Sequence, residues 1–178
     1  MRCHGTFRIP KVNQRSFRAA LDSQLTSVLV EAARVWLTTV IMESTSAGLP
    51  IWSAASIATL SPLASYVNMS LAIAPAGSAP DRVALGLANG KATFEPGTVT
   101  PGLYLFSYET TLPHLIINEY NNANTFINPK TGTPYFHLRN PGPYRFQEKG
   151  EQAFRNFVAH VELPGWGSFL DIVTIHVG

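Results

Sequence analysis

An α+β fold is the prediction: a long N-terminal helix and a second helix packed on a mostly antiparallel sheet, with one further helix before the C-terminal strand. Three observations carry it. Apolar residues recur at helical spacing through the first third of the chain. Short aromatic runs separated by Pro-Gly and Asn-Gly pairs fill the middle, and a second helical pattern precedes a closing apolar run. With 178 residues and 46% hydrophobic content, the chain is long enough to bury a core as one domain. The expected division is a basic N-terminal arm over 1–13 and a single α+β domain over 14–178.

Residues 1–13 read as an arm because they hold Pro10, no periodicity and an excess of positive charge. Arg2, Arg8, Lys11, Arg15 and Arg18 all precede the first acid, Asp22. The simplest use of such a terminus is solvation, and its alternative is contact with phosphate or an acidic partner. Helical spacing begins near Ser16. Phe17, Leu21, Val28, Ala32, Val35, Trp36 and Val40 form an apolar stripe that Leu25 and Leu29 widen, while Arg18, Asp22, Gln24, Glu31 and Arg34 take the opposite face. The helix should stop before Gly48, and Pro50 enforces the stop.

Ser53 is placed to cap a second helix with Ile57, Leu60, Ala64 and Val67 on its apolar face, and Ser61-Pro62 kinks or restarts it. SLAIA (70–74) reads as a strand. VALGLANGKATFE (83–95) reads as two short extended pieces around an Asn89-Gly90 turn. GLYLFSYET (102–110) is a strand with Tyr104, Phe106 and Tyr108 on one side, and HLIINEY (114–120) is expected to follow as another. An extended loop is expected near 117–135. PYRFQEKGEQAFRNFVAHVEL (143–163) is helical through Phe146, Phe154, Phe157, Val158 and Val161, with Gly150 weakening its middle. The closing SFLDIVTIHVG is apolar on both faces and should lie well inside the sheet.

Composition speaks about the surface. Charged residues make up 13% of the chain, against the ~25% of an ordinary globular protein. Residues 44–80 contain no Asp, Glu, Lys or Arg at all. A surface short of charge and rich in Tyr, Phe and neutral polar groups suits contact with other proteins, where desolvating charge is expensive. The net charge of +2 is too small to argue for nucleic acid. No signal-peptide pattern opens the chain, and no uninterrupted apolar run reaches the about 18 residues of a membrane span. A soluble protein made in a reducing compartment is expected.

Catalysis needs convergent groups, and the familiar constellations are missing. There is no nucleophile elbow, phosphate loop, dinucleotide fingerprint or metalloprotease helix. His4, His114, His137, His160 and His176 show no ligand spacing, and Cys3 with His4 falls short of the about four ligands of a zinc site. No metal or cofactor is expected. His114 with Glu109 and Glu119 is the nearest approach to an acid/base group, brought together if 102–110 and 114–120 form a hairpin. Its bland reading is an imidazole and two carboxylates on a solvated rim, and a small hydrolase ranks last. Tyr104, Phe106 and Tyr108 would suit base stacking only with basic neighbours, yet no Lys or Arg lies between Lys91 and Lys130. Core or interface packing is the better assignment for them.

INEYNNANTFINPKTGTPY (117–135) holds five asparagines and two charged residues, with Phe126 and Ile127 stranded in its middle. Such a stretch is a substrate-binding loop or an arm that becomes ordered against another chain.

The order of elements resembles the neck or tail-completion proteins of long-tailed bacteriophages over residues 14–160. The residues that carry the resemblance are GLPIWSAAS (48–56) after the long helix, the runs LYLFSYE and LIINEY, and the late PYRFQEKGEQAFRNFV. Pro50 fits the family pattern, while Trp52-Ser53 stands where Thr-Gly is usual. Tyr108-Glu109 and Glu119-Tyr120 match the family's Tyr- and Glu-bearing strand.

The resemblance implies a non-enzymatic virion protein of the neck or tail, assembled in the host cytoplasm into a hexameric ring at the head–tail joint. It implies contact with copies of itself, with neighbouring connector and tail-tube proteins, and non-specifically with DNA in the channel, but not with a membrane. Arg8, Lys11, Tyr120, Asn122, Phe126, Ile127 and Lys130 are then the candidate interface residues. A tail terminator or another connector ring is the close alternative. A carbohydrate-binding or carbohydrate-acting protein, using the aromatic strands and the Asn-rich loop, is the alternative from another class.

Overall fold

The computed structural model describes residues 2–8, 15–46, 54–71, 80–96, 103–120, 127, 130–133, 145–163, 167–168 and 174–177. Along them run β1 (Arg2–Arg8), α1 (Arg15–Ser46), α2 (Ala54–Ala58), α3 (Ser61–Tyr66) and α4 (Pro80–Asn89). These are followed by β2 (Gly90–Pro96), β3 (Leu103–Thr110), α5 (Pro113–Tyr120) and α6 (Phe146–His160). Three short strands close the order: β4 (Glu162–Leu163), β5 (Gly167–Ser168) and β6 (Thr174–Val177). The α+β class is as expected, with its long N-terminal helix.

The 32 residues of α1 span roughly 48 Å at 1.5 Å per residue. Its first turn has no acid and its last turn no base, so the dipole adds little and packing must hold it. Leu21, Leu25, Leu29, Trp36 and Leu37 are buried along one stripe, together with Ala32 and Ala33. Over Ala19–Glu43 the helix is long and apolar enough to cross a membrane by length and composition. A core helix passes the same test, and here the stripe packs on the sheet and on α6.

The main sheet has the order β2-β3-β1-β6 and is antiparallel throughout, with β4 and β5 forming a separate pair. Residues directly opposite on antiparallel strands share a face. Tyr104, Phe106 and Tyr108 of β3 are buried, and Ala92 and Phe94 stand opposite Tyr108 and Phe106. Trp36 of α1 meets this row, 6.5 Å from Phe106 and 5.6 Å from Tyr108 between ring centroids. Phe154 of α6 meets Phe106 edge-on at 5.6 Å. The core is therefore a layer of aromatic rings between one sheet face and the α1–α6 pair.

Four expectations are corrected. Residues 2–8 are not an arm. They form β1, which lies between β3 and β6, pairing with β3 over Arg2–Arg8 and with β6 over Gly5–Arg8. VALGLAN is helical in α4, and Asn89-Gly90 is the junction into β2, not a hairpin turn. Pro80 at the first helical position and Asp81 in the first turn favour that start. HLIINEY is helical in α5, which begins at Pro113 in the same way. The C-terminal strand β6 ends the four-strand order among the described residues, where an interior place was expected. The predicted strand 70–74 has Ser70 and Leu71 outside any strand, and its remaining residues lie outside the described ones.

Glycines permit two close crossings. A Cβ at Gly86 of α4 would lie 2.2 Å from the Ala55 carbonyl oxygen of α2, and one at Gly90 would lie 2.2 Å from that of Thr59. A Cβ at Gly150 of α6 would lie 2.8 Å from Val40 Cγ2 and 2.9 Å from Trp36 Nε1. Gly150, a weak point by helix propensity, is what lets α6 lie on Trp36.

Candidate interaction surface

Two helix ends are satisfied by side chains from distant elements. Arg145, the residue before α6, has φ 50 and supplies no side-chain cap. Glu119, at the end of α5, does so instead. Its Oε2 accepts from the Gln147 amide at 3.1 Å and its Oε1 from the Glu148 amide at 3.2 Å. Glu119 as a residue is 2% exposed. Burial pushes its pKa above the ordinary value, opposed by the amides of Gln147, Glu148 and Phe146, and the Glu148 charge pushes the same way as burial. In a similar manner Arg34 of α1 donates to the Val67 carbonyl beyond α3, from Nε at 3.2 Å and from Nη2 at 2.7 Å.

This geometry gives Glu119 a structural task and separates it from the other members of the proposed acid/base group. Glu109 lies near the end of β3, and His114 and Glu119 share the helix α5 instead of flanking a hairpin turn. The hairpin that was to bring the three together does not form. Cys3 sits in β1 at the position paired with Tyr108, inside the sheet. Among the described residues no three His, Cys, Asp or Glu side chains gather in a way that would hold a metal ion.

The aromatic strand is likewise committed. Tyr104, Phe106 and Tyr108 are all buried, so none of them offers a ring face to a base or a sugar. Tyr104 donates its hydroxyl hydrogen to Asp22 Oδ1. Tyr108 lies 2.7 Å from Thr59 Oγ1, which itself donates to the Ser56 carbonyl at 2.7 Å. Since the Thr59 hydrogen is used there, Tyr108 is the donor of the pair. Burial pushes the Tyr108 phenol up to about 12, against its bonds to Thr59 and Thr110.

Four of the seven predicted interface residues fall among the described residues. Arg8 ends β1, paired with Leu103 and Thr174. Tyr120 ends α5, so 117–120 belong to a helix and not to the expected loop. Ile127 is 56% exposed, and Lys130 is exposed in a turn with Thr131, Gly132 and Thr133. Lys11, Asn122 and Phe126 lie outside the described residues.

Other large apolar side chains reach solvent. Met42 on α1, Leu85 and Leu87 on α4, and Tyr66 at the end of α3 are exposed, Tyr66 stacking on Phe94 at 5.5 Å and 17°. The sequence reading missed Leu85 and Leu87 because it assigned their segment to a strand. The Pro80-Asp81 helix start was the signal available for it. Compared with family models, with curated proteins and with solved structures, the chain matches none.

Proposed function

We propose that this chain is a structural protein of a long-tailed phage virion. In this reading, copies of it form a ring that closes the tail or joins it to the head. The observation that carries the reading is the pairing of a charge-poor sequence with exposed apolar side chains. Only 13% of residues are charged, while Met42, Tyr66, Leu85, Leu87 and Ile127 all face solvent in the single copy. A surface with few charges and exposed apolar side chains suits burial against neighbours, where desolvating charge would be costly.

The element order supports the same reading. A long helix, the short helices α2 and α3, an aromatic strand and the late helix α6 follow the order of the neck and tail-completion proteins that the sequence resembles, although Glu119-Tyr120, expected in a strand, end the helix α5. The tail terminator and other connector rings share that polarity and size, and the experiment below separates them.

The test is electron microscopy of lysates from a host infected by the source virus with this gene disabled. Filled heads lying beside free, normal-length tails are the expected result. Overlong or ragged tails would move the protein to the terminator position. Normal infectious virions would overturn the proposal.

A further inference from the structure

The exposed side of α4 is symmetric in a way that points to a definite occupant. Gly86 faces α2, where no side chain would fit. At about 100° per residue, Ala84 and Ala88 lie about 160° to either side of Gly86, at the centre of the outward face. Leu85 and Leu87 flank them about 100° to either side of Gly86. Ala84 and Ala88 are exposed, Leu85 is 50% exposed and Leu87 48% exposed. The run Ala84-Leu85-Gly86-Leu87-Ala88 reads the same in both directions.

The two ends of the face differ in charge. Asp81 is exposed in the first turn of α4, beside exposed Arg82, and Lys91 is exposed in β2 just beyond the helix end. A face of this kind complements a copy of itself turned end for end. Ala84 would lie across the seam from Ala88 of the second copy, Leu85 would pack against Leu85 on one flank and Leu87 against Leu87 on the other, and Asp81 would stand at the end that carries Lys91. The two alanines let the helix backbones approach closely, and the leucines close the sides.

We propose that two copies of this chain pair through α4 in antiparallel, two-fold fashion. The contact is isologous, the same patch on each copy, and so it couples copies in pairs where a ring needs a head-to-tail contact. It does not rest on the virion reading. A small contact of one helix per copy gives a reversible dimer.

Sedimentation of the full chain over a concentration series tests this. A monomer–dimer equilibrium is expected, and Leu85→Glu with Leu87→Glu should weaken it at least 100-fold. The unfolding temperature of the monomer should hold, because both side chains are exposed in the single copy. Orientation is read by cysteines in a Cys3→Ser background. Chains carrying Ala84→Cys, mixed with chains carrying Ala88→Cys, should form the mixed disulfide dimer in large excess over like-with-like dimers. A monomer at every concentration, a dimer indifferent to the two glutamates, or equal like-with-like disulfides would overturn the inference. A ring that survives the glutamates would remove this contact and leave the virion reading standing. A dimer in solution from a gene whose loss leaves virions normal would do the reverse.

Discussion

Glu119 shows how a single side chain can be assigned its task only by its distant neighbours. A buried carboxylate is tolerated when hydrogen-bonded, and this one meets two amides at the start of α6, whose own preceding residue offers no cap. Glu119→Ala is expected to cost about 1–3 kcal/mol, from amides left unsatisfied, and chemical denaturation measures it. The pH dependence has a definite sign. Because burial raises the folded pKa above 4.5, the folded chain keeps a proton that the unfolded chain releases as pH rises through that interval. The contribution of Glu119 to stability therefore declines from pH 4.5 upward to its folded value. Urea midpoints taken across that range should fall more steeply in the native chain than in Glu119→Gln, and parallel slopes would refute the assignment. Gly150 is the second case. Helix propensity alone predicts that Gly150→Ala stabilises by about 1 kcal/mol. Contact of the new methyl with Val40 and Trp36 predicts a loss of about 1–3 kcal/mol, and this is the expected outcome. Neither role was legible in the sequence. Glu119 stood out as an acid near a histidine and in the resemblance, and Gly150 only as a weak point, because each meets its partner across the fold.

Among the elements, those with strong local patterns were legible and those set by context were not. The stripe from Leu21 to Val40 announced α1, and alternating aromatics announced β3. The segments that became α4 and α5 are short and apolar, and periodicity does not distinguish a strand from a helix over so few residues. In both, a proline at the first helical position was the local clue. β1 alternates Cys3, Gly5 and Phe7 with polar Arg2, His4, Thr6 and Arg8, a strand pattern masked by its basic charge, and its place between β3 and β6 is set by pairing that residues 2–8 alone do not specify. The end of α3 illustrates a cap read from geometry. Asn68 takes φ 51, Met69 N–H bonds to the Ala64 carbonyl at 2.9 Å, and Asn68 N–H bonds to that of Ser65 at 3.4 Å. Asn68→Val should destabilise the fold by about 1–2 kcal/mol through the left-handed backbone, while Asn68→Gly should be neutral or stabilising. Thermal unfolding of the two variants decides between a capping turn and an unconstrained one.

For the whole molecule, the shortage of charge suits an assembling protein, while the candidate interface positions came from the family resemblance. Of those the structure describes, Arg8 ends β1, Tyr120 ends α5, and Ile127 and Lys130 face solvent. Exposure depends on which elements pack together, and one-dimensional patterning carries little of that information. Replacing Phe126 and Ile127 by Ser is expected to leave folding intact and to block incorporation into particles, with circular dichroism and complementation of the disabled gene as the two readouts. The proposed place of the chain is the joint between head and tail. Gold labelling of intact virions with antibody against the purified chain tests that proposal. Label is expected at one place, between head and tail. Virions without label, or with label spread along the tail or over the capsid, would contradict it.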